Sequence, residues 1–174
     1  MNKEERDQFL EEVMVAHGSE LVRLAFTYVK NIEAAKDLVQ NTFIKCYERI
    51  DHFRYEAQIK TWLYRITINE CKDYLKSWSY RTEKAVDFLQ TTVKAIRPSV
   101  EEEWLVKSDR QQMKRIVLSL PTNYREVIYL YYYQSLKIEE IATVCSLNEN
   151  TVKTRLRRAK QKLKEKLEEV HVHG

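Results

Sequence analysis

The sequence predicts an all-α protein made of two small helical domains joined by a flexible linker. Only two glycines and two prolines occur among 174 residues, so few positions interrupt a helix. Apolar residues recur at helical spacing in two blocks, about 5–78 and 100–168, and a stretch of weaker pattern separates them. The second block closes with the proportions of a helix-turn-helix. We therefore predict domains at 1–78 and 100–174 and a linker at 79–99.

Composition narrows the class of protein. Hydrophobic residues make up 44% of the chain and charged residues 32%, which favours a packed fold over a disordered one. No stretch approaches the roughly 18 apolar residues that cross a bilayer, and the charged start is unlike a signal peptide, so we expect a cytoplasmic protein without membrane insertion. The three cysteines are far apart, which predicts neither disulfide nor metal site, and no cofactor is expected.

The first predicted helix with a clear stripe begins after Asn31, a good N-cap, and runs to about Ile50. Its buried stripe is Ile32, Ala35, Val39, Phe43, Cys46 and Ile50. The other side is polar except for Ile44. An isoleucine on a polar face is either incidental or part of a partner surface, and the spacing leaves both open.

A turn-like stretch, "DHFRYEAQ", precedes a second helix over about 59–78. Its apolar side is Leu63, Tyr64, Thr67, Ile68, Cys71, Tyr74, Leu75 and Trp78. Its other side carries Trp62, Arg65, Asn69, Lys72 and Lys76. Trp62 either packs on a neighbouring helix or stacks on an unpaired base while the cations hold phosphates.

The second block is divided by helix breaks. Ser99 and Glu102 form a capping-box pattern that opens it. Breaks at Pro121 and near Ser135 and Ser146 predict helices over about 100–119, 122–134, 138–144 and 148–168.

The last two of these helices predict the helix-turn-helix. Leu147 can fill the angle between them and Asn148 can cap the longer one. The buried stripe of that helix is Val152, Leu156, Ala159, Leu163 and Leu167. The opposite side carries Asn150, Thr154, Arg157, Arg158 and Gln161, with Lys153 on its flank, and such side chains suit the edges of bases and the phosphates of duplex DNA.

Charge is concentrated in this helix. Thr151 to Leu167 contains eight Lys or Arg and one acid, Glu165. A solvated basic helix and a membrane-surface helix are the alternatives to DNA binding, but no Trp or Phe lines the apolar side as a membrane helix requires. The short first helix, the tight turn and the polar tip together favour DNA.

Four segments, in this order and spacing, resemble the extracytoplasmic-function group of sigma-70-type transcription initiation factors. They are "DLVQNTFIKCY" (37–47), "FRYEAQIKTWLYRITINECKDYL" (53–75), "LPTNYREVIYL" (120–130) and "IEEIATVCSLNENTVKTRLRRAKQKL" (138–163). The resemblance covers about 5–168, with the linker matching only in length.

The resemblance implies three binding surfaces. The surface for core RNA polymerase is Asp37, Gln40, Asn41 and Ile44. The surface that captures and opens the minus-10 promoter element is Phe53, Arg54, Lys60, Trp62, Arg65, Asn69 and Lys72. The surface that recognises the minus-35 element is Asn148, Glu149, Asn150, Thr151, Lys153, Thr154, Arg157 and Arg158. It also implies a regulatory partner, typically a membrane-bound anti-sigma factor.

The sequence departs from the family pattern at several positions. Asn41 stands where Glu is common, and Arg54-Tyr55 replaces a common Arg-Gly. Lys137 stands at a helix N-cap that is usually Ser, which costs about 1 kcal/mol. Trp62 is followed by Leu63, where housekeeping relatives have two adjacent tryptophans.

Two other functions compete with a sigma factor. The second block alone would suit a dimeric helix-turn-helix regulator that never contacts polymerase, but the Trp62 face would then have no purpose. An enzyme is disfavoured because no phosphate loop, zinc-protease or nucleophile-elbow motif occurs, and the terminal "HVHG" is more typical of a frayed end than of a metal site.

Overall fold

The computed structural model describes residues 1–53, 58–88 and 109–173, and they confirm the predicted all-α class. The helices are α1 (Lys3–Val29), α2 (Ile32–Arg49), α3 (Ile59–Phe88), α4 (Asp109–Ser119), α5 (Thr122–Ile128), α6 (Ile138–Cys145) and α7 (Glu149–His173). A 3-10 turn, Ile50–His52, follows α2, and a π-helical turn, Tyr129–Tyr133, continues α5.

The described residues group into two compact units. One unit contains α1, α2 and the part of α3 from Ile66 onward, and the other contains Ile59–Arg65 and α4 to α7. The domain limits that we place at 1–78, 79–99 and 100–174 stay a prediction.

In the first unit, caps fix where α1 ends and α2 begins. Lys30 adopts a left-handed conformation (φ 54°) and its N–H donates to the Phe26 carbonyl at 2.8 Å, which stops α1. The Asn31 side chain accepts a hydrogen bond from the Ala34 N–H at 2.9 Å, so the predicted cap is confirmed. A tight turn therefore joins the two helices and lets their apolar sides pack together.

The core of the first unit follows the predicted stripes with one correction. Ala35, Val39, Phe43 and Cys46 of α2 are buried, as are Thr67, Ile68 and Cys71 of α3. Trp78 is wrong as a stripe residue, because 58% of its surface is exposed. The helix itself continues to Phe88, ten residues past the predicted end, so 79–88 of the predicted linker is helical. The rest of that linker, 89–99, lies outside the described residues.

In the second unit, a buried arginine holds α4 against α5. The Arg125 guanidinium donates from Nη1 to the carbonyls of Leu118 (2.9 Å) and Leu120 (3.1 Å), and from Nη2 to Thr122 Oγ1 (3.2 Å). These carbonyls come at the end of α4, where no helical N–H remains to satisfy them. The start of the predicted 100–119 helix, with Ser99 and Glu102, lies outside the described residues.

The predicted breaks in the second unit occur where expected. Ser135 and Ser146 adopt left-handed conformations with φ of 55° and 54°. Such φ values end a helix, and serine is not the residue that adopts them most easily. Pro121 precedes α5 directly. Among the described residues, α4, α5 and α6 are therefore much shorter than α7, and polar side chains along α7 stay exposed.

Candidate nucleic-acid interface

Helices α6 and α7 form the predicted helix-turn-helix. Ser146 closes α6, and the Leu147 N–H donates to the Ala142 carbonyl at 2.9 Å. The Asn148 side chain then accepts from the Thr151 N–H at 2.7 Å, so Asn148 caps α7 as predicted. Leu147 is half-buried in the turn. This short turn fixes the angle at which α7 leaves α6.

The N-cap of α6 is better satisfied than its sequence predicts. Lys137 offers no side-chain acceptor, but its own N–H donates to Glu140 Oε2 at 2.7 Å. Half of a capping box is therefore present, and the missing half is the acceptor that serine would supply.

The two sides of α7 differ as predicted. Val152, Leu156 and Ala159 are buried, and Leu163 and Leu167 are half-buried. The remaining surface carries the predicted minus-35 residues. Of these, Asn148, Glu149, Asn150, Lys153, Arg157 and Arg158 are exposed, and Thr151 and Thr154 are half-exposed. The structure thus brings all eight onto the first three turns of one helix.

A shallow groove of about 460 Å³ lies beside the N-terminal half of α7, and we call it the α5-side groove. Its lining is Asn123, Tyr124, Asn148, Asn150, Thr151, Thr154, Arg155 and Arg158. Asn123 and Tyr124 belong to α5, and sequence reasoning missed them. No periodic signal marks them, because their place beside α7 depends on how α5 packs.

A second shallow groove of about 420 Å³ lies further along α7, and we call it the tyrosine-side groove. Its lining is Tyr131, Ile138, Lys153, Leu156, Arg157, Lys160, Gln161 and Lys164. The Lys160 ammonium lies 6.0 Å from the ring centre of Tyr131 and 5.6 Å from that of Tyr132. A hydrogen bond with Tyr132 raises the pKa of Lys160, so this lysine stays charged at neutral pH.

One arginine of the basic run, Arg155, pairs with a buried carboxylate. Arg155 Nη1 lies 3.3 Å from Oε1 of Glu126, whose side chain is only 2% exposed. A buried carboxylate needs such a partner, because an unpaired buried charge is costly. The ion pair joins α5 to α7 and takes Arg155 out of the set of cations available to a ligand.

The predicted polymerase-binding residues share one exposed surface of α2. Asp37, Gln40, Asn41 and Ile44 are all exposed, and Ile44 leaves 56% of its surface in water. Their spacing of three, one and three places them on neighbouring turns. Ile44 is therefore an apolar centre within a polar surface.

Four of the five predicted minus-10 residues of α3 share a side by helical spacing, and Lys60, on the first turn, lies on the other side. Arg65 and Asn69 are exposed, and Trp62 and Lys72 are half-buried. Lys60 is half-buried with its ammonium 5.3 Å from the ring centre of Tyr64. The half-burial of Trp62 leaves part of the indole open, which suits either packing or base stacking.

The other minus-10 candidates, Phe53 and Arg54, precede α3 in the sequence. Phe53 is half-buried directly after the 3-10 turn, where its N–H donates to the Ile50 carbonyl at 3.1 Å. Arg54, and the Tyr55 that replaces the family glycine, lie outside the described residues.

Within the described parts of the chain, no group of three metal-binding side chains is close enough to hold an ion. The helices described there include none long and apolar enough to span a membrane. Burial raises the pKa of Cys46 to about 11 and that of Cys71 to about 12, so both thiols are protonated at neutral pH.

Two family models match the chain. The model described as "Sigma-70 region 2" matches residues 13–81, and the model described as "Sigma-70, region 4" matches residues 110–163.

Among curated proteins, the chain is similar to two sigma factors of Bacillus subtilis. It is 33% identical over 143 residues to the RNA polymerase sigma factor SigV, covering 82% of this chain and 81% of that protein. It is 30% identical over 179 residues to the ECF RNA polymerase sigma factor SigW, covering 98% of this chain and 94% of that protein.

The chain is also similar in structure to two solved proteins. The sigma factor RpoE of Bartonella quintana, in complex with the anti-sigma factor NepR, has a TM-score of 0.69 and 26% identity, covering 92% of this chain and 97% of that one. CnrH in complex with the cytosolic domain of CnrY has a TM-score of 0.64 at 24% identity, covering 93% of this chain and 89% of that one, which supports the fold alone.

Proposed function

Since the chain belongs to the extracytoplasmic-function group of the sigma-70 family, we propose which of its surfaces binds the minus-35 element, the minus-10 element and core RNA polymerase. The protein is a sigma factor: it binds core RNA polymerase and directs transcription initiation at particular promoters. The residues that make each contact are our proposal. One observation carries it: α7 and its N-cap carry seven polar or cationic side chains and one acid, Glu149, all exposed or half-exposed, within a helix-turn-helix matched by the region 4 model.

We assign α7 to the minus-35 element. Exposed Asn150 and Arg157 can each make paired hydrogen bonds, with adenine and guanine edges respectively. Lys153 can neutralise a phosphate, and Thr154 can contact a base edge or a phosphate. The Asn148 cap and the buried stripe hold the helix rigid, so these side chains meet the groove in one register.

We assign the Trp62 side of α3 to the minus-10 element. Arg65 and Lys72 supply charge for phosphates, and the open part of the Trp62 indole supplies a stacking surface. Phe53 and Arg54 precede this helix and would border a base turned out of the duplex. Unstacking a base costs a few kcal/mol, which stacking and pocket contacts offset.

We assign the exposed surface of α2 to core polymerase. Ile44 is a large apolar side chain at 56% exposure, surrounded by Asp37, Gln40 and Asn41. An apolar centre with a polar rim is the usual anatomy of a protein–protein contact. Asn41 in place of the common glutamate lowers the negative charge that this surface offers.

The chain contributes binding and polymerase contributes catalysis, so no group of this protein reacts. Because both partners, polymerase and chromosomal DNA, lie in the cytoplasm, we place the protein there. One structural relative, the sigma factor RpoE of Bartonella quintana, was solved in complex with the anti-sigma factor NepR. We therefore propose that an anti-sigma factor, membrane-bound in the usual arrangement of this group, controls this chain as well.

The direct test is reconstitution with core polymerase. Purified chain and core are incubated with genomic DNA fragments, and the transcripts are sequenced from their 5′ ends. We expect transcripts that require the chain and share upstream motifs near minus-35 and minus-10. Tight binding of duplex DNA by the chain alone, with no core-dependent transcript, would instead identify a regulator that does not engage polymerase.

A further inference from the structure

Two grooves flank the exposed side of α7. At about 100° per residue, Thr151 and Arg158 lie to one side of Thr154, while Lys160 and Lys164 lie to the other. The first pair lines the α5-side groove and the second pair lines the tyrosine-side groove. The proposed minus-35 residues divide between the two grooves: Asn148, Asn150, Thr151, Thr154 and Arg158 line the α5-side groove, and Lys153 and Arg157 line the tyrosine-side groove. A helix in a DNA major groove has one phosphate strand on each side, so each groove would meet one strand.

The two grooves differ in charge. Four cations line the tyrosine-side groove, and no acid lines it: Lys153, Arg157, Lys160 and Lys164. Lys164 lies 4.0 Å from the carboxylate of Glu168, in a pair whose two side chains are both exposed. In the α5-side groove, Arg155 forms an ion pair with the buried Glu126. In the described contacts, Arg158 is then the lining cation that has no acid beside it. The rest of its lining is amide and hydroxyl groups. Lys162 stands next to this groove with its ammonium 5.6 Å from the Tyr124 ring centre.

Residues of α5 complete the α5-side groove. Asn123 is exposed and Tyr124 is half-exposed at the start of α5, opposite the Thr151 and Thr154 side of α7. An amide N–H and a phenol O–H are common donors to phosphate oxygens in DNA complexes. Neither side chain is fully buried. Both therefore stand where the second strand would pass.

We propose that the sigma factor holds the two phosphate strands of the minus-35 element by different chemistry. The lysines of the tyrosine-side groove, Lys153, Lys160 and Lys164, hold one strand, and neutral donors, chiefly Asn123 and Tyr124 of α5, position the other. The inference rests on the proposed function of α7 and adds two DNA contacts outside the helix-turn-helix. Tyr131 and Tyr132 act indirectly, since their rings fix the Lys160 ammonium beside its strand.

The salt dependence of binding separates the two chemistries. A cation that contacts phosphate releases a counterion, so the slope of log K against log salt falls by about 0.9 for each such cation removed. A neutral donor releases none. Loss of a neutral donor therefore lowers affinity at every salt concentration and leaves the slope unchanged.

The experiment uses holoenzyme assembled from core polymerase and the full chain. Its binding to a labelled promoter duplex, taken from the transcript sequencing above, is measured from roughly 50 to 200 mM salt. We expect the double variant Lys160→Ala, Lys164→Ala to lower the slope by about 1.8. We expect Tyr124→Phe and Asn123→Ala each to weaken binding about tenfold at every salt concentration. In the plot of log K against log salt, each variant should have the same slope as the unmodified holoenzyme.

Matched controls exclude general effects. Tyr133→Phe removes the hydroxyl of a partly exposed tyrosine that lines neither groove, and Lys3→Ala removes an exposed charge on α1. Both should behave as the unmodified protein. Urea unfolding checks that the variants fold, and Tyr124→Phe keeps the ring that lies under Lys162.

The outcomes are separable. If Tyr124→Phe and Asn123→Ala bind the promoter as tightly as the unmodified protein, or lower the slope of log K against log salt, the role given to α5 is wrong. If the lysine variant keeps the original slope, the role of the tyrosine-side groove is wrong. Either result can occur in a holoenzyme that still makes correct transcripts, whereas failure of the unmodified chain to direct transcription contradicts the proposed function itself.

Discussion

At the scale of the residue, neighbours decide what each charge in α7 can do. Arg155 and Arg157 are two positions apart in the same basic run, yet Arg155 pairs with the buried Glu126 while Arg157 is exposed. Helical spacing predicts the exposure of Arg157. It cannot predict the pairing of Arg155, because the partner lies 29 positions away and meets it only through the packing of α5 on α7.

Arg157→Ala should weaken specific promoter binding by about 1–3 kcal/mol, the usual value of a paired base contact. The measurement is holoenzyme affinity for promoter and for random duplex. Arg110→Ala removes an exposed arginine of α4 and serves as the matched control. An equal loss on random DNA would reduce Arg157 to a phosphate contact.

Trp62→Ala should leave core binding intact and impair open-complex formation, because it removes the proposed stacking surface. Trp78 provides the control: it is 58% exposed on the same helix and lies outside the proposed surface. Trp78→Ala should therefore open promoters normally. If Trp62→Ala abolished core binding, the indole would be a packing residue.

The two thiols of the first unit should resist modification in the folded protein. Burial raises the pKa of Cys46 to about 11 and that of Cys71 to about 12, from an ordinary value of 9.0. Peptide mapping after treatment with a thiol reagent at pH 8 should find both unmodified until denaturant is added. Rapid modification of the native chain would contradict their burial.

The same shifts have a consequence for stability. Because the folded-state pKa values are the higher ones, their contribution is fully present below about pH 9 and is lost as pH rises toward 11 and 12. The free energy of unfolding should thus decline in that alkaline range.

At the scale of the element, capping and backbone breaks were the most predictable features. The caps at Asn31 and Asn148 and the breaks at Ser135 and Ser146 depend on a few neighbouring residues, which the sequence displays. The length of α3 is not determined by a few neighbouring residues in the same way. Its predicted end at Trp78 assumed that the apolar stripe and the helix stop together, but the helix continues with Trp78 exposed.

Lys137→Ser should stabilise the second unit by about 1 kcal/mol, because serine supplies the acceptor that the N-cap of α6 lacks while Glu140 already supplies the other half of the capping box. Urea unfolding measures this. Lys137→Ala removes the same side chain without adding an acceptor and should give no gain. A gain of equal size in both variants would mean that removal of the lysine, rather than the cap, is responsible.

At the scale of the whole molecule, the sequence predicted the all-α class and the exposed sides of α2 and α7. It did not predict which other helices contribute residues beside those sides. The stripes of α2 and α7 sufficed to identify which sides face outward, so every proposed residue of both helices lies at the surface. The participation of α5 in the α7 surface could not be predicted, because Asn123 and Tyr124 reach it through packing alone.

The two proposed DNA-binding surfaces belong to one chain. If both bind the same promoter, then once one element is bound, the second meets its surface at a high effective concentration. A promoter altered at either element should therefore lose far more occupancy than one contact alone would predict.

We propose that one surface of this sigma factor recognises the minus-35 element and that another opens the promoter near minus-10. Permanganate reactivity of thymines near minus-10, probed on a promoter bound by reconstituted holoenzyme, tests this most directly. We predict reactive thymines with the unmodified chain and with Trp78→Ala, and few with Trp62→Ala although that holoenzyme still binds the promoter. Equal reactivity in the Trp62→Ala complex, or bound promoter without reactive thymines for the unmodified chain, would contradict the claim.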